Sequence, residues 1–115
     1  MAQPYLTDLS VMASVWMNED DRIGELECRH FFSGAAAYRN DSIVASLTPV
    51  GLALKVSTGD RDRLLASGRA SELRYFPHAP VKRDYVVFPA SSVEPREAVR
   101  LILGQPDVAE RSTTT

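Results

Sequence analysis

Cys28 and His30 are the residues whose types and spacing could support covalent or metal chemistry. Two residues apart on a strand, they would share one face, and a thiol beside an imidazole is the minimum for a nucleophilic cysteine. A zinc site would need three or four ligands, and His78, the other histidine, lies between prolines. We therefore interpret Cys28 as half-buried and His30 as partly exposed. A small-molecule or enzymatic site at this pair stays open as an alternative.

The sequence contains no further catalytic pattern. Ser33-Gly34 lacks the flanking residues of a nucleophile elbow, and Gly34 and Gly51 stand alone rather than in a phosphate-binding loop. We expect no enzymatic activity, no metal and no cofactor.

Basic side chains are concentrated in the second half of the chain, with tyrosines among them. Such a mixture is typical of nucleic-acid surfaces. However, four carboxylates are interspersed and the net charge is −2, whereas non-specific nucleic-acid binding needs clustered Lys and Arg. Nucleic-acid binding is therefore an alternative rather than the main hypothesis. The residues concerned are Arg61, Arg63, Arg69, Arg74, Lys82, Arg83, Tyr75 and Tyr85.

Length and composition place the chain among globular proteins. The 115 residues fit one domain, and 44% hydrophobic with 24% charged residues is an ordinary balance. A single cysteine excludes an intramolecular disulfide. The N-terminus does not resemble a secretory signal, and no apolar run approaches the roughly 20 residues of a membrane helix. We expect a cytoplasmic protein without membrane association.

The first half predicts a helix followed by a strand meander. TDLSVMASVWMNED has apolar residues at helical spacing, and Thr7 or Asp8 could cap it. Four extended segments follow, joined by tight turns that include Asn40-Asp41, which implies antiparallel pairing. The segments are 26–32, AAAYR, SIVASLT and LALKV.

The second half predicts two helices that flank a hairpin. Ser57 begins a helix that ends at Gly68, and Ser91 or Ser92 caps a last helix that ends at Gly104. Between them, SELRYF and RDYVVF form an edge hairpin, with Phe76 and Phe88 in the core. Residues 106–115 are a polar tail that we expect to fray. The fold class is α+β, an antiparallel meander sheet with a second hairpin and about three helices.

RHFFSGAAAY resembles the signature of the TfoX N-terminal domain family, Arg-Lys-Met-Phe-Gly-Gly with a Tyr four positions on. Arg29, Phe32, Gly34 and Tyr38 match it, whereas His30, Phe31 and Ser33 differ. The resemblance continues along residues 7–105. The further matching positions are Leu52, Leu54 and Lys55 (the family's Leu-Tyr-Leu-Lys, with Ala53 for Tyr), Gly68 at a helix end, and Tyr85 and Pro89 in a Tyr-x-x-x-Pro pattern.

This resemblance implies an α+β domain and a regulatory role. Some members regulate genes for natural transformation and act with transcription factors. It implies no catalytic residue. We therefore expect a non-enzymatic interaction module with a protein partner in the transcription machinery. A homodimer is a further expectation, because small domains with exposed strand edges often pair symmetrically.

Gly34 and the alanines after it indicate a structural role for the RHFFSGAAAY segment. Small residues there would permit a tight bend and close packing of helices on the sheet. We expect Gly34→Val to destabilise the fold by about 1–3 kcal/mol through strain and overpacking.

Overall fold

A six-stranded antiparallel sheet and three α-helices form the part of the chain that the computed structural model describes, residues 4–89 and 92–104. The sheet order β1-β2-β3-β4-β6-β5 confirms the α+β fold. The elements are α1 (Tyr5–Glu19), a 3-10 helix (Asp21–Ile23), β1 (Glu27–Phe31), β2 (Gly34–Arg39), β3 (Ser42–Thr48), β4 (Gly51–Lys55), α2 (Thr58–Ala66), β5 (Ser71–Leu73), β6 (Lys82–Phe88) and α3 (Pro95–Gly104).

Strands β1 to β4 form the meander that the turn residues predict. Each strand pairs with the next, and the connections are only two residues long. Asn40 and Asp41 both have a positive φ, 53° and 66°, which is the backbone of the turn that matches the twist of paired strands. The register shifts once, between Ala37 and Tyr38 on β2.

The second hairpin extends the same sheet. The chain leaves β4 through α2, runs down the edge strand β5, and returns as β6 between β4 and β5. The predicted strand SELRYF is too long, because β5 ends at Leu73 and Arg74–Phe76 lie outside it. Both Pro77 and Pro80 lie outside the strands, as their missing N–H groups require.

The helices build the core against one face of the sheet. Helix α1 packs on β1, β2 and β3 and against α3, while α3 packs on β4 and α2 on β5 and β6. Phe88 is fully buried, as predicted. The larger core residues are Leu9, Trp16, Ile23, Leu47, Leu52, Leu54, Leu64, Val86, Phe88, Leu101 and Ile102.

Some helix ends differ from the prediction. Helix α1 begins at Tyr5 without a side-chain cap, so Thr7 and Asp8 lie inside it and the predicted caps are wrong. Ser57 does cap α2, by accepting the Asp60 N–H, and Gly68 follows that helix with φ 76°.

The last helix also begins later than the serines predict. Helix α3 starts at Pro95, and the Ser92 hydroxyl donates to the Pro89 carbonyl instead of capping the helix. Ser91 and the expected polar tail, 106–115, lie outside the described residues. Within the described ranges, no helix combines the length and the apolar character needed to cross a membrane.

Gly34 is required by the neighbouring strand rather than by a helix. A Cβ added there would overlap the Leu47 carbonyl oxygen and lie 2.9 Å from the Cα of Thr48. Close helix packing is the role of Ala35 and Ala37, which lie in the core beneath the helices. The expectation that Gly34 itself permits helix packing is therefore wrong, because the neighbouring strand β3 is what requires glycine there.

Candidate interaction surface

The second face of the sheet, opposite the helical core, is floored by small side chains. Ala36 pairs with Ser46, and Ser46 pairs with Ala53, so the three lie in one row across β2, β3 and β4. All three have an exposed fraction of 0%. Because these side chains are short, larger groups from elsewhere in the chain can lie directly against the sheet.

Residues 74–81, here called the aromatic loop, supply one such group. The Tyr75 hydroxyl lies 3.1 Å from the buried Ser46 hydroxyl, which places Tyr75 over the second face. Arg74 Nη1 donates to the Ala79 carbonyl at 2.8 Å, and the Ala79 N–H donates to the Phe76 carbonyl at 2.9 Å. The loop is thus closed on itself and tethered to the sheet.

Three rings at the end of this face form what we call the aromatic patch: Phe31, Phe32 and Tyr75. Ring centroids are 4.5 Å apart for Phe31 and Phe32, 5.6 Å for Phe31 and Tyr75, and 5.5 Å for Phe32 and Tyr75. These are the separations of favourable tilted and edge-to-face pairs. Despite these contacts, Phe32 is 78% exposed.

Phe76, which follows Tyr75 in the chain, is 61% exposed. The prediction that Phe76 lies in the core is therefore wrong, because β5 ends before it and the aromatic loop directs it outward. Phe76 therefore leaves a large apolar side chain in water one residue away from Tyr75 in the chain.

Phe32 also has an unusual backbone. It occupies the first position of the two-residue turn between β1 and β2, with φ 51°. Gly, Asn and Asp dominate such positions, since the left-handed region costs other residues roughly 1–2 kcal/mol. Strain of this kind is often retained where it positions a side chain for function. Here it accompanies an aromatic ring that projects into solvent.

Tyrosines extend the surface toward the middle of the sheet. Tyr85 lies opposite Lys55 on the neighbouring strand. Burial is the main cause that raises the pKa of Tyr85 far above its ordinary value, and burial also raises the pKa of Tyr75. The Arg29 guanidinium lies 4.7 Å from the centre of the Tyr38 ring, a cation–π distance. Because their pKa values are raised, the phenols of Tyr85 and Tyr75 are uncharged at neutral pH, and the surface presents rings and hydroxyl groups.

Most residues of the predicted basic set are engaged within the chain. Arg61 binds Glu72 at 3.2 Å, Arg63 binds Asp60 at 2.9 Å, and Arg69 binds Glu97 at 2.8 Å. Arg74 holds the Ala79 carbonyl. Lys82 and Arg83 are exposed at the start of β6. Pairing with carboxylates removes much of the positive field that phosphate binding needs.

The residues that carry the family resemblance divide between the second face and the core. Strand pairing places Arg29, Tyr38, Lys55 and Tyr85 on the second face, and Phe32 and Gly34 at the turn that ends it. Leu52 and Leu54 are buried in the core, Gly68 follows α2, and Pro89 follows β6.

Cys28 and His30 share a strand face, as their spacing predicts. They pair with Ala37 and Ala35, on the side of the sheet that α1 covers. Cys28 is half-buried, and burial raises the pKa of its thiol, an effect that the nearby Ser10 side chain partly offsets. A raised pKa lowers the thiolate fraction, the opposite of what an activated nucleophile requires. His30 is exposed.

Metal ligands do not cluster near this pair. Across residues 4–89 and 92–104, no group of three or more His, Cys, Asp or Glu side chains could hold a metal ion.

The aromatic patch itself was not identified from the sequence. Phe31 and Tyr75 are 44 positions apart in the chain numbering, and only the path of the aromatic loop brings them together. The available signal was the Phe31-Phe32 pair directly before a turn.

Comparisons of the chain with protein-family models, with curated proteins and with solved structures give no match.

Proposed function

We propose that this chain is a non-enzymatic interaction module that binds a protein partner through the aromatic patch. The observation that carries the proposal is Phe32, which is 78% exposed although it contacts two other rings and has a strained backbone. Aromatic side chains supply a large share of the binding energy at protein interfaces. A preformed ring cluster loses little conformational entropy when a partner covers it.

The resemblance to TfoX N-terminal domains supports a regulatory partner. Arg29, Phe32, Gly34 and Tyr38 carry that resemblance, and all four belong to the β1–β2 hairpin that presents the patch. We therefore propose a cytoplasmic regulator whose partner belongs to the transcription machinery. Nucleic-acid binding is the competing function, but the ion pairs of Arg61, Arg63 and Arg69 disfavour it.

The test is affinity capture of the tagged full chain from its own cell lysate, with mass spectrometry as the readout. Phe32→Gly removes the ring and relieves the left-handed backbone, so we expect the variant to fold, which a thermal melt checks. Val15→Ala, on the outer side of α1, is the control for loss of another exposed apolar group. The capture is carried out for each variant with and without nuclease.

We expect the unmodified chain and Val15→Ala to capture the same nuclease-resistant transcription factor or polymerase subunit. We expect Phe32→Gly to capture at least tenfold less of that protein. Equal capture by Phe32→Gly would overturn the proposed surface. Capture that disappears with nuclease would replace the protein partner with nucleic acid.

A further inference from the structure

The two edges of the sheet differ in how they are protected. The edge strand β5 has only three residues and a register shift between Glu72 and Leu73. Short length and irregular pairing are common ways to blunt an edge. The other edge, β1, has five residues in regular register with β2 and contains no proline. Its outer side is therefore a regular template for another strand.

The turn after β1 determines which backbone groups face this open side. Phe31 pairs with Gly34 across the two-residue turn. The two residues that flank such a turn hydrogen-bond to each other through their backbones. Antiparallel pairing alternates along the strand, so Glu27, Arg29 and Phe31 direct their N–H and C=O groups toward β2. Cys28 and His30 direct theirs toward the open edge.

We propose that the occupant of this edge is a second copy of the chain, paired antiparallel through β1 about a two-fold axis at Cys28. In that register Glu27 of each copy lies opposite Arg29 of the other, and opposite charges across strands are stabilising. The neighbouring symmetric register, centred on Arg29, would set two arginines directly opposite each other. The charge pattern of β1 thus complements itself in one register and opposes itself in the next.

The flank of α1 beside this edge is compatible with a second copy. Helix α1 packs on β1, and the Ser10 side chain is near Cys28, so the Ser10 side of α1 faces β1. A shallow groove on this flank is lined by Leu6, Thr7, Ser10, Val11 and Ser14, none of which is charged. Solvent faces of surface helices normally carry charges, whereas here Val11 is 61% exposed. Two-fold pairing would bring this flank toward its counterpart without charge repulsion.

Charge reversal tests the register directly, by analytical ultracentrifugation of the full chain over a range of concentrations. Glu27→Arg places arginine opposite arginine in the pair, and Arg29→Glu places glutamate opposite glutamate. We expect the dimer dissociation constant of each single variant to rise about tenfold or more. An equimolar mixture of the two variants restores opposite charges at both positions and should form a mixed dimer of near-native affinity.

Each result decides the proposal. A monomeric unmodified chain, dimers unaffected by either reversal, or a mixture that fails to pair would overturn it. Thermal melts of both variants report whether they fold, since each also breaks the exposed Arg29–Glu27 pair within the chain.

Cys28 offers an independent readout in the unmodified protein. Opposed residues of a bonded antiparallel pair have Cα atoms roughly 5.5 Å apart, within disulfide reach. Diamide, which accepts the two electrons and two protons released when the two Cys28 thiols join, should therefore yield a covalent dimer from the unmodified chain and much less from Glu27→Arg; equal yields would contradict the register.

This edge is separate from the aromatic patch, and the two proposals fail separately. Phe32→Gly should still dimerise, and Glu27→Arg should still capture the partner.

Discussion

At the scale of single residues, Gly34 is a position where one added carbon atom would overlap the backbone of a neighbouring strand. The Cβ of Gly34→Ala would overlap the Leu47 carbonyl oxygen. Backbone atoms of a central strand cannot move aside as a flexible side chain can, so β2 and β3 would have to separate. We expect a loss of about 1–3 kcal/mol in the free energy of unfolding, measured by urea denaturation, and at least as large a loss for Gly34→Val.

Gly59 provides the matched control for this substitution. It lies in α2, and no atom lies within 4 Å of the position that its Cβ would occupy. Alanine in a helix is favoured over glycine by up to about 1 kcal/mol, so Gly59→Ala should leave the stability unchanged or raise it. A Gly34→Ala variant as stable as Gly59→Ala would show that β3 does not approach β2 as described.

At the scale of elements, local sequence signals predict what local interactions decide. The meander was predictable because the turn residues and the alternation of apolar side chains lie within a few positions of each other. Asn40 and Asp41 take up the left-handed backbone that such a turn demands. The insertion of β6 between β4 and β5 was not predictable in the same way, because that pairing joins segments that are far apart in the chain.

The aromatic loop shows the same limit at the candidate site. The residues of SELRYF alternate like a strand, yet pairing stops at Leu73 and the Tyr75 ring contacts Phe31 instead. Ser46 is a small polar residue in an apolar strand, and nothing near it in sequence predicts Tyr75 as its partner. The ion pair between Arg69 and Glu97 likewise depends on the folded arrangement.

Tyr75→Phe tests how firmly this loop is held. It leaves the fully buried Ser46 hydroxyl without its partner, and an unsatisfied buried hydroxyl costs about 1–3 kcal/mol. We expect a loss toward the lower end of that range in the free energy of unfolding, because Tyr75 itself is only half-buried. Tyr5→Phe, on α1, is the control for loss of a hydroxyl elsewhere. Equal stability of the two variants would mean that the Ser46 bond does not tether the loop.

At the scale of the whole molecule, one sheet presents two different surfaces. The helices cover one face, and Tyr75 lies over the buried Ser46 on the second face. The aromatic patch at the end of the second face and the β1 edge are the surfaces that we propose for partners. The aromatic patch and the self-complementary charges of Glu27 and Arg29 belong to the same hairpin, yet one lies at its turn and the other along its open side. Under the two proposals, a single hairpin would contact a protein partner and a second copy at the same time.

The tyrosines of the second face make the stability of the whole molecule sensitive to alkaline pH. Burial raises the pKa of Tyr85 well above the value of about 10 that it has in the unfolded chain. The folded state therefore holds the phenolic proton more tightly. Its contribution to stability is fully present below pH 10 and is lost as the pH rises above 10 toward the folded pKa.

Urea denaturation of the unmodified chain and of Tyr85→Phe between pH 8 and pH 11 measures this contribution. Phenylalanine cannot ionise, so we expect the free energy of unfolding of Tyr85→Phe to fall less steeply above pH 10 than that of the unmodified chain. Tyr75, whose pKa is also raised, should still cause part of the fall in the free energy of unfolding of Tyr85→Phe. In the double variant Tyr75→Phe/Tyr85→Phe, that free energy should fall even less above pH 10. Identical slopes in all three proteins would mean that both phenols ionise as freely as in water and that the second face is open to solvent.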